Sequence, residues 1–165
     1  MLDKSIPHIR VIMVKSDTAD YPRFELPEGF VFRGYEPGFE NAWAELIFET
    51  EQAETLEKAR EIFTKEFLES PEDLERRCLF VIEESSGRIA ATASLWYGDL
   101  FGEVMQRIHW VATRPEYQGK GLVKALMTRL LDIYNELGCK GFIYLTSQTW
   151  SYKALNLYSR FGFRP

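Results

Sequence analysis

The chain has 165 residues, 45% of them apolar, which suits one domain spanning 1–165 and burying roughly 70% of the surface its unfolded form exposes. A net charge of −5 argues against general nucleic-acid binding and gives only a slight bias toward cationic partners. Two cysteines, Cys78 and Cys139, form neither a disulfide framework nor a metal set, so a reducing, cytoplasmic setting is expected, and no apolar run is long enough for a signal core or a membrane span.

Residues 1–29 read as an N-terminal extension. Within it 9–15 can form an added strand, and Pro22 and Pro27 break the chain twice. Residues 30–35 (FVFRGY) read as a strand, and Glu36-Pro37-Gly38 as a turn. Phe39, Trp43, Leu46 and Ile47 recur at helical spacing and place a first helix at about 38–50. Leu56, Ala59, Phe63 and Phe67 make a second helical stripe that ends before Pro71. Between the stripes, Glu49, Glu51 and Glu54 read as a solvated face, or as part of an acceptor pocket. Residues 78–82 and 89–97 are strands joined by the turn Glu84-Ser85-Ser86-Gly87. A second turn at 98–102 leads to a third strand at 104–113. Three strands joined by short turns make an antiparallel meander.

The stretch Val111 to Val123, VATRPEYQGKGLV, organises the rest. Pro115 has no N–H for a ladder, so the strand stops near Arg114. Gly119 and Gly121 permit positive φ or close approach of the backbone. Leu122, Leu126, Leu130, Ile133 and Leu137 then fall at helical spacing, closed by Gly138. A strand that turns through glycines into a helix start directs unpaired N–H groups and the positive end of a dipole at one point, which suits a pyrophosphate. Two glycines alone equally make an ordinary tight turn. No Gly-Lys-Ser/Thr follows at P-loop spacing, and the third glycine of a dinucleotide fingerprint is absent. After the helix, 141–146 reads as a strand, parallel to its predecessor through a right-handed crossover. Ser151 is placed to cap a last helix carrying Ala154, Leu155, Tyr158 and Phe161, closed by Gly162. The fold class is α/β of the α+β type: a mixed central sheet, a meander followed by a β-α-β crossover, and helices on both faces.

From about residue 78 to 164 the chain resembles the GNAT superfamily of acetyl-CoA-dependent N-acetyltransferases. The family's loop motif, Arg/Gln-x-x-Gly-x-Gly/Ala after a strand ending in Val-x-Pro, is similar to Gln118-Gly119-Lys120-Gly121-Leu122-Val123 after Val111-Ala112-Thr113-Arg114-Pro115. A second motif, Asn-x-x-Ala-x-x-x-Tyr and then Gly-Phe, is similar to Ser151-Tyr152-Lys153-Ala154-Leu155-Asn156-Leu157-Tyr158 and Gly162-Phe163. Val123 stands where a small residue is usual, and Ser151 where Asn is common, though a hydroxyl can also cap a helix. The chain given ends at Pro165, where many members continue into a final strand; residues 9–15 could fill that place, within the chain or across a homodimer.

The resemblance implies the following. Acetyl-CoA is the co-substrate, and no metal is involved. Backbone groups of Val111, Ala112 and Thr113 bind the pantetheine arm. The amides of Gly119, Lys120, Gly121, Leu122 and Val123 hold the pyrophosphate, and Lys120 either adds a charge or is a solvated loop lysine. The acceptor is a primary amine of a small molecule or peptide, and it attacks the thioester directly. Tyr158 acts as general acid toward the leaving thiolate. The base stays open between His109, with an unperturbed pKa near 6.5, and a water relay to Glu103 or a helical glutamate. Two other classes remain: a CoA-binding regulatory module without catalysis, and a scaffold that has lost the ligand.

Overall fold

The structure, a computed structural model, describes residues 3–165. Its strands are β1 (Arg10–Lys15), β2 (Phe30–Gly34), β3 (Cys78–Glu83), β4 (Ile89–Gly98), β5 (Met105–Thr113) and β6 (Ile143–Gln148). Its helices are α1 (Phe39–Glu49), α2 (Leu56–Phe67), α3 (Pro71–Arg77), α4 (Leu122–Glu136) and α5 (Tyr152–Arg160). The six strands form one mixed sheet in the order β1-β6-β5-β4-β3-β2. β2 with β3 and β3 with β4 pair antiparallel, while β5 and β6 pair parallel, as the α4 crossover requires.

The chain packs as two compact units. One holds Phe24–Ser94 and Trp110–Leu126. Its centre is aromatic: the Trp43 ring meets Phe63 at 5.2 Å, Phe67 at 5.7 Å and Trp110 at 5.5 Å between centroids. Trp43, Phe63 and Phe67 are fully buried, and edge-on contacts of this kind add about 0.5–1.5 kcal/mol each beyond area burial. The helical stripes of α1 and α2 supply these rings. Thr55 caps α2, accepting the Lys58 N–H at 3.0 Å, a contact worth about 1 kcal/mol.

The second helix ends before Pro71, as its stripe predicts, with Phe67 as its last residue. Pro71 then begins the short α3, a helix the sequence reading did not contain. Proline suits that position because its missing N–H has no helical partner there and its fixed φ is already helical.

The other unit holds the residues up to Arg23, Leu95–His109 and Met127–Pro165. Leu130, Tyr134, Tyr144, Phe161 and Phe163 fill its core. β1 lies antiparallel to β6 with Met13 opposite Leu145, and Val14 and Arg164 exchange backbone hydrogen bonds of 2.7 and 2.9 Å. The N-terminal strand thus takes the place beside β6 within the same chain. β6 itself begins two residues later than the sequence suggests. Gly138 and Gly141, at φ 67° and 88°, place the intervening residues in turns. Among the described residues, no helix is long and apolar enough to cross a membrane.

Candidate active site

The glycine stretch lies wholly in the unit containing α1–α3, and its geometry is fixed at both ends. At the upstream end, Trp110 takes φ 50°, a conformation that costs a non-glycine residue of order 1–3 kcal/mol. Its ring is held against Trp43, and its indole N–H donates to Glu66 at 2.7 Å. Arg114 follows, only 3% exposed. Its backbone N–H bonds Ala90 O at 2.9 Å and its Nε bonds Ile89 O at 2.8 Å. Its guanidinium reaches Glu49 at 2.5 Å and Glu45 at 3.3 Å. A buried cation needs partners of this kind, since an unpaired charge would be strongly destabilising.

Residues Pro115–Tyr117 make a single 3-10 turn. Tyr117 is buried, donates to Glu83 at 2.9 Å and sets its ring edge-on to Phe30, while Arg88 pairs with Glu116 at 2.8 Å. The Glu83 carboxyl is held below its ordinary range, first by the Ser86 hydroxyl and then by Tyr117, with Lys120 and Arg88 adding positive charge. The turn is therefore pinned to the β3–β4 hairpin. Gly119 and Gly121 come next at φ 80° and 83°. A Cβ built on either would meet nothing within 4 Å, so these residues are glycine for backbone conformation and open space, not for tight packing. α4 then starts at Leu122, and Ala125 N–H makes its bond to Gly121 O at 3.3 Å. The N–H groups of Leu122, Val123 and Lys124 are those a helix leaves without intrahelical partners. No acidic residue stands in this first turn. The cradle fits an anionic diphosphate on conformation, space and charge.

The strand residues expected at the pantetheine arm lie immediately upstream of the cradle. Val111 O accepts the Gln52 amide at 3.2 Å and Thr113 O accepts the Gln118 amide at 3.3 Å. Each carbonyl keeps a second lone pair. Ala112 is 4% exposed, and Thr113 Oγ1 is buried with no partner among the described residues. Gln118 therefore turns its side chain back to the strand, while Lys120 stands exposed in the loop and Val123 is half-buried. Glu49 is exposed, as expected of a solvated face, but its carboxylate also pairs with the buried Arg114 guanidinium. The sequence offered no signal for this, because the partners are 65 residues apart. Gln52 and Glu66 were missed for the same reason.

The remaining expected residues lie in the second unit. Tyr158, on α5, is 6% exposed with its ring 6.4 Å from Phe163. Burial pushes the phenol well above its ordinary range, so it is protonated at neutral pH. Ala154, one turn earlier, is half-buried. Ser151 does not cap the helix as expected. It ends a 3-10 turn at φ −96° and ψ 43°, outside the extended region from which a capping side chain reaches back to the helix N–H groups, and it makes no capping bond. His109 is half-buried beside Arg107, whose Nη2 lies 2.5 Å from His109 Nδ1 and also reaches Nε2. Glu103 is exposed in the β4–β5 turn. Among the described residues, no group of three or more His, Cys, Asp or Glu side chains is placed to hold a metal ion.

The family model described as Acetyltransferase (GNAT) family matches residues 40–163. A curated relative, glucosamine 6-phosphate N-acetyltransferase of Trypanosoma brucei brucei, is 34% identical over 99 residues, covering 56% of this chain and 65% of the relative. The solved GCN5-related N-acetyltransferase from Sphaerobacter thermophilus superposes with a TM-score of 0.72 at 24% identity, over 94% of this chain and 47% of that one. A predicted acetyltransferase with acetyl-CoA from Clostridium acetobutylicum gives a TM-score of 0.61 at 15% identity, over 82% of this chain and 90% of that one. The chain thus spans about half of the Sphaerobacter protein and under two thirds of the curated relative. At these identities the two structural likenesses concern the fold.

Proposed function

Because the chain belongs to the GNAT family of acetyltransferases, we propose that it transfers an acetyl group from acetyl-CoA to a primary amine of a small molecule or peptide. The observation that carries this reading is the open cradle at Gly119 and Gly121, built between a pinned strand end and the start of α4. The amides of 119–123 would hold the pyrophosphate, with Lys120 adding a charge at the loop. The backbone of Val111, Ala112 and Thr113, together with the Thr113 hydroxyl, would take the pantetheine arm, and Ser151 and Ala154 carry a cofactor-binding role through the family's second motif. The amine nitrogen would attack the thioester carbon directly, so a C–N bond forms and the C–S bond breaks. The amine proton would pass to His109, and the proton of Tyr158 to the departing sulfur. Much of the rate gain would come from holding amine and thioester in register. The name of the trypanosomal relative supports including amino-sugar phosphates among the acceptors to be tried.

The test is an acceptor screen that follows thiol release from acetyl-CoA with amino acids, polyamines, aminoglycosides, hexosamine phosphates and peptide N-termini. Release above the hydrolysis rate with one acceptor class is the expected result. Tight acetyl-CoA binding with no release for any amine would replace this reading with a CoA-binding regulatory module.

A further inference from the structure

Arg107 on β5 and Tyr144 on β6 stand opposite each other in the parallel register, so both side chains leave the sheet on one face. His109, two residues on from Arg107, shares that face and contacts the guanidinium. Gly98, the last residue of β4, makes the room. A Cβ there would come within 1.8 Å of the Tyr144 hydroxyl and 2.7 Å of Arg107 Cδ. The phenol oxygen and the arginine stem therefore lie together against a bare Cα. Tyr144 is completely buried, with Phe101 edge-on to its ring at 5.3 Å.

Both groups lack something. Tyr144 Oη and Arg107 Nε are buried and have no hydrogen-bond partner among the described residues. Among the described residues, no carboxylate pairs with Arg107; its polar contact is the imidazole of His109. A guanidinium is always charged and only donates, and a phenol can donate too. What would satisfy both is an acceptor. A water could take one of the two bonds, but it leaves the charge unpaired, whereas an oxyanion takes the bonds and neutralises the charge.

We infer that Arg107 and Tyr144 form a binding site for an oxyanion carried by the amine acceptor, so the acceptor is an amine that also bears a carboxylate or a phosphate. The inference rests on the acetyl-transfer reading only for the identity of the ligand. The Arg107–His109 contact places the anionic group next to the imidazole assigned as base, which would orient the acceptor's amine by its other end.

The experiment uses matched acceptor pairs with the full chain: an amino acid against its amide, and an amino-sugar phosphate against the unphosphorylated sugar. In parallel, thermal shifts are read with inorganic phosphate and with acetate as probes, without acetyl-CoA. The native protein is expected to prefer the anionic member of at least one pair by tenfold or more in kcat/KM, and the pair that shows it identifies carboxylate or phosphate. The matching probe should raise its Tm. Arg107→Gln and Tyr144→Phe should each erase most of the preference and the probe's Tm rise. Tyr144→Phe removes a hydroxyl with no partner among the described residues, so its own Tm without probe should equal or exceed that of the native protein. A fall in that Tm would assign the hydroxyl to a structural water instead, and equal use of both members of each pair would overturn the site. If no amine is acetylated while phosphate or acetate still raises the Tm of the native protein and not of Arg107→Gln, the oxyanion site stands and the acetyl-transfer reading fails. If no amine is acetylated and neither probe shifts the native Tm, the oxyanion site fails as well.

Discussion

Replacing Gly121 with valine tests the cradle directly. Gly121 sits at φ 83°, and a Cβ added there meets no atom within 4 Å. The cost is therefore one of backbone conformation, about 1–2 kcal/mol for an L-residue in the left-handed region and more for a β-branched one. The loop is tethered between Tyr117, which is buried and bonded to Glu83, and Leu122, which is also buried. Strain at 121 can be relieved only by rotating the neighbouring peptide groups away from their shared focus. Binding must then restore them, and at 1.4 kcal/mol per factor of ten the acetyl-CoA Kd should rise by roughly 5- to 30-fold. Gly29 supplies the control: it has φ 89° and equally open surroundings, but lies in the turn before β2. Gly29→Val should cost similar stability in a urea melt and leave the Kd unchanged. Calorimetric titration with acetyl-CoA reads both variants. Native-like affinity in Gly121→Val, or equal weakening in the two variants, would refute the reasoning.

Three further outcomes are expected. Tyr158→Phe keeps the buried ring and removes the proton, so single-turnover acetyl transfer should slow by about tenfold or more while acetyl-CoA affinity stays within a few-fold; an unchanged chemical step would return Tyr158 to a core aromatic. Arg114→Met leaves Glu49 and the Ile89 carbonyl without their partner, and because Glu49 and Glu45 are partly solvated the urea-measured loss should be about 2–3 kcal/mol, below the 3–5 of a fully buried pair; a loss near zero would mean the clamp holds nothing. Burial pushes the Cys78 thiol up to about 12, so native protein should show a single promptly reactive thiol, Cys139; the same shift gives a contribution to stability that is full below the ordinary value of 9.0 and lost as pH rises toward 12, and Cys78→Ala should flatten that alkaline decline in a pH series of urea melts.

Periodicity made most of the fold legible. The α1, α2 and α4 stripes were readable because each carries apolar residues at helical spacing over two or more turns, and the strands because turn residues bound them. α3 escaped because seven residues with Leu74 as the one buried aliphatic give no period to read, and a proline that suits a helix's first position gives no periodic signal of the helix it begins. The loop was legible because positive φ leaves its mark in the sequence as glycine. The clamps around it were not. Nothing local in Arg114, Gln52 or Glu66 states that each will bond a residue 25 to 65 positions away. Tyr144 was hidden more thoroughly: in a strand a tyrosine reads as a pleat-filling aromatic, and only the bare Cα of Gly98 shows that its hydroxyl and the Arg107 stem meet.

The pairing of β1 with β6 has a consequence for synthesis. Met13 and Leu145 are opposite one another, so the ribosome must make more than a hundred residues after β1 before its partner exists. Loop closure over such a span is slow, and a strand that waits is exposed to other chains. Its sequence is RVIMVK: four consecutive apolar residues, rich in β-branched types, with an Arg at one end and a Lys at the other. Flanking charges of this kind disfavour edge-to-edge association of an unpaired strand. In the finished protein Lys15 is 3% exposed and donates to Asp20 O at 2.6 Å, so the charge that guards the nascent strand is folded away once β6 arrives.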